Sequence, residues 1–142
     1  SFYCNLSYWE NCVEKKLFPY TMPSSDLMGF DTAVDNILEE GIENLVERHN
    51  KTAEYCREGI KKLGLKLYLE DDFASTVTAF YVPDGFTVNE FIKKLKDEYK
   101  IFIGGSYGPY ADKVLRIGHM GESAKIEYIE KTLTAIKNIL EK

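Results

Sequence analysis

Arg116 is the residue in this chain best suited to gripping an anion. Only Arg48, Arg57 and Arg116 are arginines, so each can be weighed singly. Arg116 sits in Val114-Leu115-Arg116-Ile117-Gly118, a run that reads as a β-strand. Side chains alternate along a strand. Leu115 and Ile117 then face a core, and Arg116 projects from the opposite face with Val114 and Gly118. A guanidinium in mid-strand is costly to bury alone. Its planar fork matches a carboxylate or phosphate through two parallel hydrogen bonds. A solvated or ion-paired strand arginine is the plainer reading of the same pattern.

Other candidates carry less. Gly104-Gly105-Ser106-Tyr107-Gly108 invites comparison with a phosphate cradle, but it has neither GxGxxG nor Walker spacing, and no helix opens directly after it. A tight turn with positive φ or close backbone approach suits it better. A substrate-facing loop is the other option. His49 falls on the apolar side of a helical pattern, where a hydrogen-bonded buried histidine is expected. His119 follows Gly118 at a strand end, a better place for a site. Tyr20 and Thr21 lie between Pro19 and Pro23 in an extended segment that leaves their hydroxyls free to bind. No Ser/His/Asp order, paired-carboxylate signature or metal cluster stands out, so no residue is assigned a catalytic role and no metal is expected. Glu39/Glu40 and Asp71/Asp72 read as a helix end and a solvated turn.

The elements that must position these residues follow from periodicity. Ser24, Ser25 and Asp26 can cap a helix carrying Leu27, Phe30, Val34, Ile37 and Leu38. Gly41 breaks it. A second helix of about six turns runs from Ile42 to a stop at Gly64. Leu65–Leu69 and Thr76–Val82 read as strands, the latter ending at Pro83-Asp84-Gly85. Thr87-Val88-Asn89-Glu90 is a capping box opening a further helix. Ile101–Ile103 is a short strand before the glycine loop. Ser123 can cap a final helix with Ile126, Ile129, Leu133, Ile136 and Leu140 inward. The sum is an α+β two-layer sandwich, with a mostly antiparallel sheet covered on one face by helices. Residues 1–25, with six large aromatics, read either as an arm packed on its own domain or as a surface that belongs against another domain or subunit; 26–142 form the main domain.

The bulk numbers bound the function. A chain of 142 residues is one ordinary domain, and a formal charge of −5 argues against nucleic acid. Cys4, Cys12 and Cys56 make no CxxC pair and are odd in number, which suits reduced thiols in a cytoplasmic protein. No apolar run is long enough for a membrane span. The chain begins Ser-Phe-Tyr without Met, as a piece of something longer would.

The segment Lys113-Val114-Leu115-Arg116-Ile117-Gly118-His119-Met120-Gly121 resembles the (G)K-x-(F/L)-R-I-G-x-x-G stretch of class V aminotransferases, the alanine–glyoxylate and serine–pyruvate group. Glu40-Gly41-Ile42-Glu43-Asn44 with Arg48-His49, Leu63-Gly64-Leu65, and Tyr20-Thr21-Met22-Pro23 resemble further family stretches. Together they cover nearly the whole chain. The resemblance implies the small C-terminal domain of a fold type I enzyme, with residues 1–25 as the tail of a large cofactor domain. It implies that Arg116 holds the substrate α-carboxylate. It implies that Thr21, with Tyr20, reaches the phosphate of pyridoxal 5'-phosphate in the partner subunit of a homodimer. Where some members carry a tyrosine three residues before the threonine, Phe18 stands here. The implied parent moves an amino group between alanine, serine or aspartate and a 2-oxo acid such as glyoxylate or pyruvate. The family's Schiff-base lysine motif and its pyridine-binding aspartate do not occur in residues 1–142. The chain alone is therefore expected to bind no cofactor and to be inactive. The alternative is a stand-alone module that binds small anions or amino acids, or a partner, without catalysis.

Overall fold

The computed structural model describes residues 2–141. The chain divides into two units, Ser1–Gly41 and Ile42–Lys142.

The first unit opens with a 3₁₀ turn, Leu6–Trp9, and a single helical turn, α1 (Cys12–Lys15). Pro19 and Pro23 keep the next stretch out of helix. Tyr20 packs its ring among Tyr3, Trp9 and Phe2, with the Trp9 ring edge-on at 5.2 Å. Helix α2 (Ser24–Glu40) follows. Pro23 occupies its N-cap position, with no side-chain capping bond from the Ser24, Ser25 or Asp26 trio expected to supply one. Gly41, at φ 85°, ends α2 as expected.

The second unit starts with α3 (Ile42–Lys62), 21 residues long. Three strands follow: β1 (Val77–Tyr81), β2 (Gly104–Gly105) and β3 (Val114–Gly118). Helix α4 (Val88–Tyr99) lies between β1 and β2, and α5 (Ile126–Leu140) follows β3. The sheet order is β1-β3-β2, and both pairings are antiparallel. One face of the sheet meets α3, α4 and α5. Phe80, Leu115 and Ile117 from the strands join Cys56 and Ile60, Phe91 and Leu95, and Ile129 and Ile136 in one buried cluster. Burying each such side chain contributes roughly 1.5–3 kcal/mol before entropy is charged. Helices α3 and α5 approach closely at Gly59, where a methyl group would collide with Leu133. The α+β sandwich with an antiparallel sheet is the architecture expected.

Three further local expectations are corrected. Leu65–Leu69 makes only a single bridge, Leu67 to Phe80, with two backbone bonds beside it. The chain leaves the sheet at the turn holding Asp72, whose φ is 52°. Ile101–Ile103 is not a strand; the ladder forms one step later, at Gly104 and Gly105. Ser123 closes a 3₁₀ turn, Gly121–Ser123, and Lys125 takes the N-cap position of α5. Val114 is buried although it shares Arg116's face; it lies outside the core cluster. The capping box at Thr87 forms in full, with Thr87 Oγ1 accepting from Glu90 N–H and Glu90 accepting from Thr87 N–H.

Candidate functional site: the Arg116 strand and its braces

The pairing of β3 decides where Arg116 points. Its neighbours Leu115 and Ile117 face Phe80 and Thr78 across the ladder, inside the core. Arg116 pairs with Ala79 on one side and Gly104 on the other, so its side chain leaves by the face opposite α3, α4 and α5. It is half-buried. Its Nε donates to Gly105 O at 2.7 Å. The Gly104 position has no Cβ; one placed there would stand 3.7 Å from Nη2 and 3.9 Å from Nε. The side chain thus lies across the two-glycine strand. The Tyr107 ring faces the guanidinium carbon at 5.2 Å. No carboxylate pairs with Arg116 among the described residues. Its terminal Nη atoms make no hydrogen bond there either. A guanidinium with one donor fixed and its outer edge open is prepared for a planar two-oxygen acceptor.

Gly105 also lets α4 close on the strand, since a Cβ would come 3.3 Å from Val88 Cγ1. Gly108 adopts φ 56° in the following turn. The glycine loop therefore serves both close approach and positive φ.

A second construction holds the far end of β3. Arg48 Nη1 donates to Gly121 O at 2.9 Å and to Ala124 O at 3.0 Å. His49 Nε2 accepts from Gly121 N–H at 3.0 Å. Nε2 is thus the bare nitrogen, and Nδ1–H donates to Leu45 O at 2.8 Å. Two adjacent α3 residues clamp the turn that leaves the Arg116 strand. This agrees with the expected satisfied, buried His49. The role of Arg48 has one signal in the sequence, the side-by-side Arg48-His49 pair.

His119 does not open onto a surface. It is fully buried, and its Nε2 lies 2.8 Å from Thr78 Oγ1. Burial holds its pKa below the usual 6.5, against backbone carbonyls that favour the charged ring. Above pH 6.5 the ring is neutral in both the folded and the unfolded chain. Below it the unfolded chain takes up the proton first, so the unfolded state gains. Stability is therefore expected to fall as the pH drops from about 6.5, read as a falling urea midpoint. The His119→Gln variant should flatten that slope; an unchanged slope would assign it elsewhere. Nearby Cys56 is likewise buried, which pushes its thiol up to about 11 and keeps it protonated.

Thr21 and Tyr20 belong to the first unit. Thr21 is exposed and Tyr20 half-buried. A groove of about 510 Å³ between α3 and the start of α5 is lined by Arg48, Lys51 and Lys125, among others, and does not include Arg116. Among the described residues no helix is long and apolar enough to cross a membrane, and no side-chain group could hold a metal.

No family model matches the chain. Individual relatives do. An uncharacterized aminotransferase of Methanocaldococcus jannaschii is 38% identical over 82% of this chain and 30% of its own length. Pyridoxamine–pyruvate transaminase of Mesorhizobium japonicum is 36% identical over 90% of the chain and 33% of its own length. The crystal structure of ureidoglycine–glyoxylate aminotransferase from Bacillus subtilis superposes with a TM-score of 0.91 at 32% identity, covering 99% of this chain and 37% of that one. The chain belongs to the class V aminotransferases. Its fold is that of the aminotransferase C-terminal domain. Class V aminotransferases use pyridoxal phosphate. This member spans about a third of the length of the relatives it matches. Pyridoxal phosphate needs a lysine for its aldehyde and an acid at its ring nitrogen. Neither the family's Schiff-base lysine motif nor its pyridine-binding aspartate occurs in residues 1–142.

Proposed function

We propose that this chain supplies the substrate-carboxylate clamp of a pyridoxal-phosphate-dependent aminotransferase. The observation that carries the reading is Arg116, tied at Nε and without a hydrogen bond at its outer edge among the described residues, on the face opposite α3, α4 and α5. Two relatives are named for pyruvate and glyoxylate, and both acids place a carboxylate beside a carbonyl. A carboxylate fixed by two parallel hydrogen bonds can rotate little, so the neighbouring carbon is presented in one orientation. The amino donor in this reading is alanine, serine or aspartate. Thr21, with Tyr20, contributes to the grip on the cofactor phosphate of a partner subunit in a homodimer. Residues 1–25 are the tail of the cofactor domain, and 26–142 form the small domain. The chain alone does not transaminate, because the covalent chemistry needs a lysine from elsewhere. Three unpaired cysteines fit a cytoplasmic setting.

The scarcity of arginine makes a direct test simple. A chain labelled with nitrogen-15 has three arginine Nε–H signals. Titration with pyruvate is expected to move the Arg116 signal in a saturable way and leave those of Arg48 and Arg57 in place. Equal drift of all three, or none, would refute the clamp.

A further inference from the structure

We propose that Tyr107 is a positioning residue for the substrate carboxylate, acting through Arg116; this rests on the clamp reading above. Tyr107 is 78% exposed, so the core gains almost nothing from its ring. Among the described residues it stacks on no other aromatic ring, yet its face meets the Arg116 guanidinium at 5.2 Å. Its place is fixed by the backbone. Tyr107 is the extended residue before the 3₁₀ turn Gly108–Tyr110, and its carbonyl accepts from Tyr110 N–H at 3.2 Å. The Tyr110 ring is in turn braced edge-on against Tyr68 at 5.1 Å.

The consequence lies in which directions remain open around the guanidinium. The Nε–H is occupied by Gly105 O, and the Tyr107 ring covers part of one face. An incoming anion is left the Nη edge, in the plane of the fork. The ring quadrupole also favours the cation staying where it is. Tyr107 thus narrows the motion of Arg116 before substrate arrives, and less ordering is needed on binding. The ring does this, not the hydroxyl.

The test uses four forms of the chain (wild type, Tyr107→Phe, Tyr107→Ala and Arg116→Ala), with pyruvate as the probe. The dissociation constant and the Arg116 Nε–H signal are both read. Tyr107→Ala is expected to bind about two- to fivefold more weakly. Its free Arg116 signal should shift as the ring current is lost. Tyr107→Phe should match wild type in both. A Tyr107→Ala form that binds like wild type, while Arg116→Ala does not, overturns the role of Tyr107 and leaves the clamp standing. A Phe form as weak as the Ala form overturns it too, by assigning the effect to the hydroxyl. If Arg116→Ala binds like wild type, the clamp itself falls.

Discussion

Replacing Arg116 with alanine is expected to weaken the binding of pyruvate and of amino acids by about 30- to 700-fold. Two charge-assisted hydrogen bonds are lost together. Each is worth roughly 1.5–3 kcal/mol when well formed. Arg116 is only half-buried, and water will replace part of the interaction. A combined loss of about 2–4 kcal/mol follows, and each 1.4 kcal/mol is a factor of about ten. In the full-length aminotransferase of the proposed function this should show as a raised KM for both substrates. Arg116→Lys keeps the charge but loses the fork, so it should fall between wild type and the alanine form. The fold should survive. Removing the side chain frees Gly105 O, which can turn to water at a cost of about 1 kcal/mol or less. Unchanged KM values with an intact fold would remove Arg116 from the substrate site.

Replacing His49 with alanine is expected to destabilise the chain by about 2–4 kcal/mol. His49 is buried and uses both ring nitrogens. The variant loses two hydrogen bonds at about 1 kcal/mol each and leaves a space the size of a ring. Gly121 N–H is left without its acceptor. Arg48 still holds the Gly121 and Ala124 carbonyls, so the turn should loosen and not vanish. Arg116 lies five positions before Gly121, and a looser turn should also blur its aim. Chemical denaturation measures the first effect, and the pyruvate dissociation constant measures the second. A loss under about 0.5 kcal/mol would mean that the turn holds itself.

The parts of the fold legible in the sequence are those with local causes. The capping box at Thr87 is written in four adjacent residues, and it forms. The break at Gly41 needs one residue of positive φ, and it occurs. The strand around Arg116 is marked by alternation of Leu115 and Ile117, and both are buried. The short strand at Gly104 and Gly105 could not be read, because glycine has poor strand propensity and Ile101–Ile103 looks better. Those glycines join the sheet for lack of side chains, which admits Arg116 over one and α4 beside the other. The Arg48–His49 clamp was hidden for a different reason. It joins residues 72 to 76 positions apart, and no periodicity encodes such a pairing. The stacking of Tyr107 on Arg116 depends on a turn geometry that composition does not specify.

The alternation in β3 has one more consequence. Arg116 stands between two core residues, so the proposed clamp and the core are written in the same five-residue strand. Slipping the pairing by one residue would send Leu115 and Ile117 into water and drive the guanidinium among the helices. Burying that charge unpaired would cost several kcal/mol, on top of the lost core. A chain folded in the wrong register therefore does not persist as a stable protein with a misaimed clamp. Folding itself proofreads the site.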